Sequence, residues 1–382
     1  MKKALAITIL SLAALAAGLS AQDLTLESAM SSLGKAATPA ASAPVVTETA
    51  AAPASASAER EWLFLVFING VNDLGIMGYA DNDINEMEQV GSTPKMAVVV
   101  EYSKLGMDDP FSGNLQMQRG SRTLYITKDA EPAKITSPQV GKPTNTTDMG
   151  SAAHLVRFVT RAVARFPAKK VAVVVWNHGA GQNGISFDDV SGKHMEVDEL
   201  GGALAEIKGV LGHNINLFAT DACLMQMAAV AYELRNSADV VVGSEEVIPG
   251  NGYPYTPILT GLAAKPGMAA DELGRLIVTA YGGSYRFDAT LSAVRASALN
   301  GLRDGINSWV TAIKADPASM AAAANAQLVE NTSHFSDRES RDLVDYLQRV
   351  NAALPEGKRA KEVGAALIDF VKKRLMIHHV AL

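Results

Sequence analysis

The chain is 382 residues long, 48% hydrophobic and 19% charged, with a formal net charge of -6. That leaves room for one large domain or two ordinary ones, with enough apolar residues to bury a core. No segment is strongly basic, which argues against nucleic acid as a partner.

Lys2 and Lys3, then an apolar or small run over 4–19 that closes on small residues through Ala21, read as a secretory signal over 1–21. The run is too short for a comfortable membrane span. The mature protein is therefore expected to be exported, periplasmic or secreted, with no membrane segment once the signal is removed. Residues 22–58 are dominated by Ala, Ser, Thr and Pro. They cannot offset the entropy of ordering and read as a disordered linker or a propeptide.

Order is expected from about residue 59. The apolar run 62–68, ended by Asn69-Gly70, suits a buried strand of a parallel sheet. A helix is predicted over 81–90 and strands over 96–100 and 122–126. Asp148 is read as the cap of a helix over 149–166, stopped by Pro167. The most strand-like segment, 170–176, runs straight into Asn177-His178-Gly179, and 186–192 reads as loop. A helix over 198–211 is followed by a strand over 215–220, which runs into Asp221-Ala222-Cys223. A helix over 224–235 and a strand over 240–244 come next. The alternation predicts an α/β fold with a mainly parallel sheet, forming one domain over 59–270. Residues 271–382 are read as a mostly helical part packed on it, with helices over 271–281, 296–315 and 337–354 and a strand over 288–294.

Cys223 is the single cysteine, so no internal disulfide can form. Ligands of parallel sheets bind at the carboxyl ends of strands. His178 and Cys223 both fall just beyond such an end, and adjacent strands would bring them to one edge. A thiolate attacking a carbonyl needs an imidazole nearby, and His178 is the partner by position. Gly179 lets backbone approach closely. Its N–H and that of Cys223 are candidate oxyanion donors. A helix starting after Cys223 would favour the thiolate through its N-terminal dipole.

Three segments then show a resemblance: Val175-Trp176-Asn177-His178-Gly179-Ala180-Gly181, Thr220-Asp221-Ala222-Cys223-Leu224-Met225, and the run from Ser244 through Glu245, Glu246, Pro249, Gly250, Asn251 and Gly252 to Tyr255. In this order they resemble the clostripain family of the caspase-like clan of cysteine peptidases, as do Asp83-Ile84-Asn85-Glu86-Met87 and Thr290-Leu291-Ser292-Ala293. The resemblance implies a caspase-like α/β/α sandwich and an endopeptidase acting on protein or peptide substrates. It implies a His178–Cys223 dyad without an obligatory third member, acting through a thioester; the protein is expected to be a monomer with no required cofactor. It also implies cleavage after Arg or Lys, because a buried guanidinium needs a paired carboxylate. Asp221 matches one family acid of that pocket. A second acid is replaced here by Asn251, which Glu245 or Glu246 could make good. Asp221 reads equally well as a helix cap.

Some members cut themselves between the catalytic residues. Lys193 is the only Lys or Arg within 186–196 and is the candidate processing site. Some depend on calcium, and Asp188 and Asp189, with Glu196 and Asp198, offer oxygen ligands in no EF-hand spacing. Two other readings compete. One is a peptidase-fold binding protein that has lost activity. The other is a dinucleotide-binding oxidoreductase, from the G-x-G-x-x-G match at Gly179–Gly184, which lacks the helix that should begin within it.

Overall fold

A computed structural model describes residues 60–105, 120–144, 148–286, 289–328 and 330–382. The signal and linker readings over 1–21 and 22–58 lie outside the described residues. In chain order the elements are β1 (Arg60–Gly70), α1 (Asp73–Ile76), α2 (Tyr79–Glu88), β2 (Met96–Lys104), β3 (Arg122–Tyr125), α3 (Ala152–Arg165) and β4 (Ala168–Trp176). Then come β5 (Ile185–Asp188), β6 (Lys193–Met195), α4 (Val197–Leu211), β7 (Ile215–Asp221), α5 (Ala228–Leu234), β8 (Ala238–Gly243), α6 (Tyr255–Ala264) and α7 (Ala270–Ser284). The chain continues through β9 (Thr290–Arg295), α8 (Leu299–Lys314), α9 (Pro317–Ala326), α10 (Leu343–Ala353), α11 (Arg359–Phe370) and β10 (Met376–Ala381).

One sheet organises these elements, in the order β10-β9-β8-β7-β4-β1-β2-β3. The five central strands, β8 to β2, are mutually parallel, and β3, β9 and β10 pair antiparallel at the edges. The run 62–68 is apolar throughout because both faces of β1 are covered. Leu63, Leu65 and Phe67 point into a core shared with α3, α4, α5 and α8. Trp62, Phe64, Val66 and Ile68 point into the other, shared with α2, α6 and α7. The result is a three-layer α/β/α sandwich with a mainly parallel central sheet.

The strand order reverses direction at β1, which has β2 on one side and β4 on the other. Between β1 and β4 the chain connections leave in opposite senses, and such a switch point is where parallel sheets bind their ligands, outside the carboxyl ends of the strands.

Four sequence readings need correction. The strand expected over 288–294 forms as β9, but it and β10, which was not expected, extend the central sheet, so residues 271–382 share that sheet and do not merely pack on it. The helix expected from residue 224 begins at Ala228, because 224–227 turns under bonds from Leu224 N to Glu246 O and from Gln226 N to Ser244 O. The segment 186–192 is not wholly loop, since β5 and β6 form a hairpin. Asp148 does not cap α3, whose N-cap position is Ser151. Its carboxylate instead accepts from Ser191 Oγ and pairs with Lys193 Nζ at 2.9 Å.

Phe158 on α3 is fully buried and packs against Phe67 of β1. Phe158→Ala should lower stability by about 3–5 kcal/mol. A shift of the urea midpoint at unchanged slope would register it, and an unmoved midpoint would contradict this packing.

Candidate active site

The site is built from the ends of four neighbouring strands. In the parallel pairing of β4 with β7, Trp176 lies opposite Asp221. His178 and Cys223 each follow two residues later, so they leave adjacent strands at the same level. Asn177 N donates to Asp221 O at 3.2 Å and ties the two exits together. A Cβ added to Gly179 would lie 2.2 Å from Cys223 O, so only glycine lets the strands' ends pack this closely.

His178 Nε2 is 2.7 Å from Asp73 Oδ1, on the first residue of α1. That bond is the main reason the Asp73 carboxyl is held below its ordinary pKa. Asp73 answers from just beyond the end of β1, the strand beside β4. With Nε2–H given to Asp73, Nδ1 is the nitrogen left to exchange a proton. No hydrogen bond joins the His178 and Cys223 side chains.

The surrounding loops are fixed by a buried asparagine network. Asn177 Nδ2 donates to Asn69 O, and Asn177 Oδ1 accepts from Phe187 N at 2.6 Å. Asn69 Nδ2 reaches Ser186 Oγ and Phe187 O, and Asn72 Nδ2 reaches Phe187 O at 3.0 Å. The β5–β6 hairpin is thereby moored to the ends of β1 and β4.

Cys223 is partly buried. Burial pushes its thiol up, against the opposing bond from Ile248 N to Sγ at 3.3 Å. The expected helix dipole is absent, because α5 starts five residues later. Leu224, next in the chain, is one of two non-glycine residues with positive φ among those described, at 63°. Such a conformation costs about 1–2 kcal/mol and is held here by its bond to Glu246 O. Neither Gly179 nor Cys223 gives its backbone N–H to another residue among those described, so both candidate oxyanion donors are open.

Asp221 is not a helix cap. Its Oδ2 accepts from Tyr253 N and Tyr255 Oη, both at 3.0 Å, and burial pushes its carboxyl up to about 7. Asp83 of α2 accepts from Trp176 Nε1 at 2.6 Å, and burial and the charge of Asp221 hold it well above the usual carboxylate range. Glu86, one turn on, also bears on Asp221 and is raised by burial.

The remaining sequence candidates go elsewhere. Asn251 is exposed. Glu245 is pushed up to about 7 by burial and by Asp342, not by Asp221. Both Glu246 carboxylate oxygens accept from Ser336 N. Asp188 is consumed by the backbone amides of Met149, Val190 and Ser191. Asp189 lies where burial and Asp73 raise its carboxyl and His178 lowers it. Among the described residues no group of three or more His, Cys, Asp or Glu could hold a metal ion. Lys193 opens β6, exposed and paired with Asp148. Residues 179–184 form a loop with a single 3-10 turn, and no helix begins there to receive a pyrophosphate.

Asp73 and Asp83 are missing from the sequence reading. Asp73 had a signal, being an acid three residues past a buried parallel strand. Asp83 had only its place in a family-like segment.

Parallel strands carrying an imidazole and a thiol to one sheet edge define a caspase-like sandwich of the cysteine peptidase type. A profile of the clostripain family matches residues 66–368, most of the chain, and the protein belongs to that family. It is 32% identical to clostripain of Hathewaya histolytica over a stretch that is 31% of this chain and 26% of that protein. A secreted C11 cysteine protease of Bacteroides thetaiotaomicron, solved with an irreversible peptide inhibitor, superposes with a TM-score of 0.60 at 19% identity over 84% of each chain. An inactive zymogen C11 protease of Parabacteroides distasonis gives 0.62 at 20% identity over 85% of each.

Gly179→Ala forces its methyl against backbone and should cost roughly 1–3 kcal/mol. Thermal or denaturant melts would show it, and an unchanged midpoint would mean that the two loops are not in this contact.

Proposed function

We propose that this protein is an exported cysteine endopeptidase that cleaves protein or peptide substrates after Arg or Lys, with Cys223 as nucleophile and His178 as acid and base. The observation that carries this reading is the equal level of His178 and Cys223 on β4 and β7, with His178 oriented by Asp73.

The chemistry follows from the site. The resting thiol is protonated, so Cys223 gives its proton to His178 Nδ1 as Sγ attacks the scissile carbonyl. The tetrahedral oxyanion is met by the N–H groups of Gly179 and Cys223. The imidazolium, stabilised by Asp73, then protonates the leaving amine. A thioester remains, and water activated by His178 hydrolyses it. No cofactor is needed and the protein acts as a monomer. Basic specificity is supported by Asp221 beneath the nucleophile, a buried acid with no ion-pair partner among the described residues. Export is supported by the N-terminal signal and by the similar secreted protease. No described helix is long and apolar enough to cross a membrane. Self-cleavage after Lys193 is supported by its exposure and by similarity to a zymogen. It requires β6 to leave its hairpin.

A peptide library varied before the scissile bond tests the reading with purified wild type and Cys223→Ala. Wild type should cut after Arg and Lys, and Cys223→Ala should fall by at least about a thousandfold. Equal residual turnover by both forms, or none with Cys223 inert to alkylation, would support the inactive binding protein instead. Lys193→Gln should keep active protein as one chain, and a nick between 193 and 194 in that variant would contradict the processing site. Asp73→Asn should lower kcat/KM roughly tenfold or more, given the usual worth of an oriented acid–base group. Pairing lowers the Asp73 pKa, so the pair is complete above the ordinary aspartate range and is lost as pH falls through the lowered value. Wild-type kcat/KM should therefore drop on the acid side, and Asp73→Asn should lack that limb.

A further inference from the structure

We propose that Asp83 is the second acid of the specificity pocket, and that in the empty enzyme Asp83 and Asp221 hold one proton between them, released when a cationic side chain enters. This rests on the peptidase reading above.

The geometry brings the two acids together from different elements. Asp221 ends β7, directly opposite Trp176 of β4, and Trp176 Nε1 donates to Asp83 Oδ2. Asp83 thus reaches from α2 to the level just beneath His178 and Cys223. Both residues are nearly closed to solvent, at 2% and 4% exposure. Each spends Oδ2 on the protein, Asp83 with Trp176 and Asp221 with Tyr253 and Tyr255. Neither Oδ1 receives a described donor.

The groups that face this pair are acidic or neutral. They are Glu86 from α2, Cys223 beyond β7, Tyr253 and Tyr255 at the start of α6, and Tyr281 and Tyr285 from α7. Among the described residues no Lys, Arg or His pairs with Asp83, Glu86 or Asp221. A second observation points to a missing ligand. The Tyr281 hydroxyl, wholly buried and without a hydrogen-bond partner, lies where the charges of Asp221 and Cys223 bear on it. Carboxylates without a cation and a hydroxyl without a partner, beside a nucleophile, form half of a site. The other half is rich in N–H donors and carries positive charge.

Two buried carboxylates whose charges bear on each other do not both ionise. One stays a carboxylic acid and the pair carries a single negative charge. When a guanidinium or ammonium enters, the acid O–H bond breaks, its proton passes to buffer, and both carboxylates pair with the cation. Asp83 so occupies, from another element, the role that exposed Asn251 leaves open. Basic side chains bind more tightly as pH rises, and neutral ones do not.

Calorimetry of Cys223→Ala with an Arg-containing peptide and its norleucine counterpart, in buffers of different ionisation heat between pH 6 and 8, counts the protons released. The Arg peptide should release close to one proton near pH 6, less as pH rises, and its affinity should rise about tenfold per unit on the acid side. The norleucine peptide should release none. Asp83→Asn in the same protein should abolish release and narrow the Arg-to-norleucine ratio. Should that variant fail to fold, the buffer comparison on the parent protein still decides. Preference for Arg without proton release, or release unchanged in folded Asp83→Asn, overturns the acid pair and leaves the peptidase reading standing. No preference for Arg or Lys over norleucine at any pH overturns both.

Discussion

The register of β4 against β7 is the constraint on which the site depends. Neighbouring strands lie about 4.8 Å apart. With Trp176 opposite Asp221, the imidazole, the thiol and the acid below them are set relative to one another before any loop is considered. A slip of one residue would reverse the faces of a strand and drive Val173 and Val175 out of one core while pushing Ala172, Val174 and Trp176 out of the other. The apolar burial that stabilises the sandwich therefore also aligns the imidazole with the thiol. The reversal of strand order at β1 completes the arrangement, because it brings Asp73 beside His178 from the neighbouring strand end.

Electrostatics at this edge run against the resting enzyme. Burial raises Cys223, Asp221, Asp83 and Glu86 together, and the described residues supply no cation to relieve the acids. The one strong compensation is local, between Asp73 and His178 at the rim. A protonated thiol in a crowded acid environment makes the single cysteine resistant to chance oxidation, since the thiolate is the reactive form. Under the proposed function, a basic side chain relieves these acids, and the substrate carbonyl draws the proton from sulfur to His178.

Much of this was legible from residue order. The long apolar strands were readable because burial on both faces leaves no polar alternation, and turn residues end them sharply at Asn69-Gly70 and Asn177. His178 and Cys223 followed from strand ends and from three ordered motifs. The helix predicted over 224–235 starts late, at Ala228, although Leu224, Met225 and Met227 have helical spacing and propensity. Tertiary bonds from Leu224 and Gln226 to the 244–246 loop override that propensity. The hairpin over 185–195 was hidden because its strands are three and four residues long and pair with a register shift. Asp83 could not be placed from sequence: it meets Trp176 across 93 residues. Glu245 and Glu246 stand near the motif in sequence, but their loop faces the segment leading into α10, at Ser336 and Asp342.

The central claim is that one thiol and one imidazole at this sheet edge act as a unit. The most direct measurement treats wild type and His178→Ala with a peptide chloromethyl ketone ending in Arg and locates the adduct by mass spectrometry. A single peptide adduct on Cys223 of wild type is expected, formed far more slowly in His178→Ala. No adduct on Cys223, or equal rates in the two proteins, would contradict it.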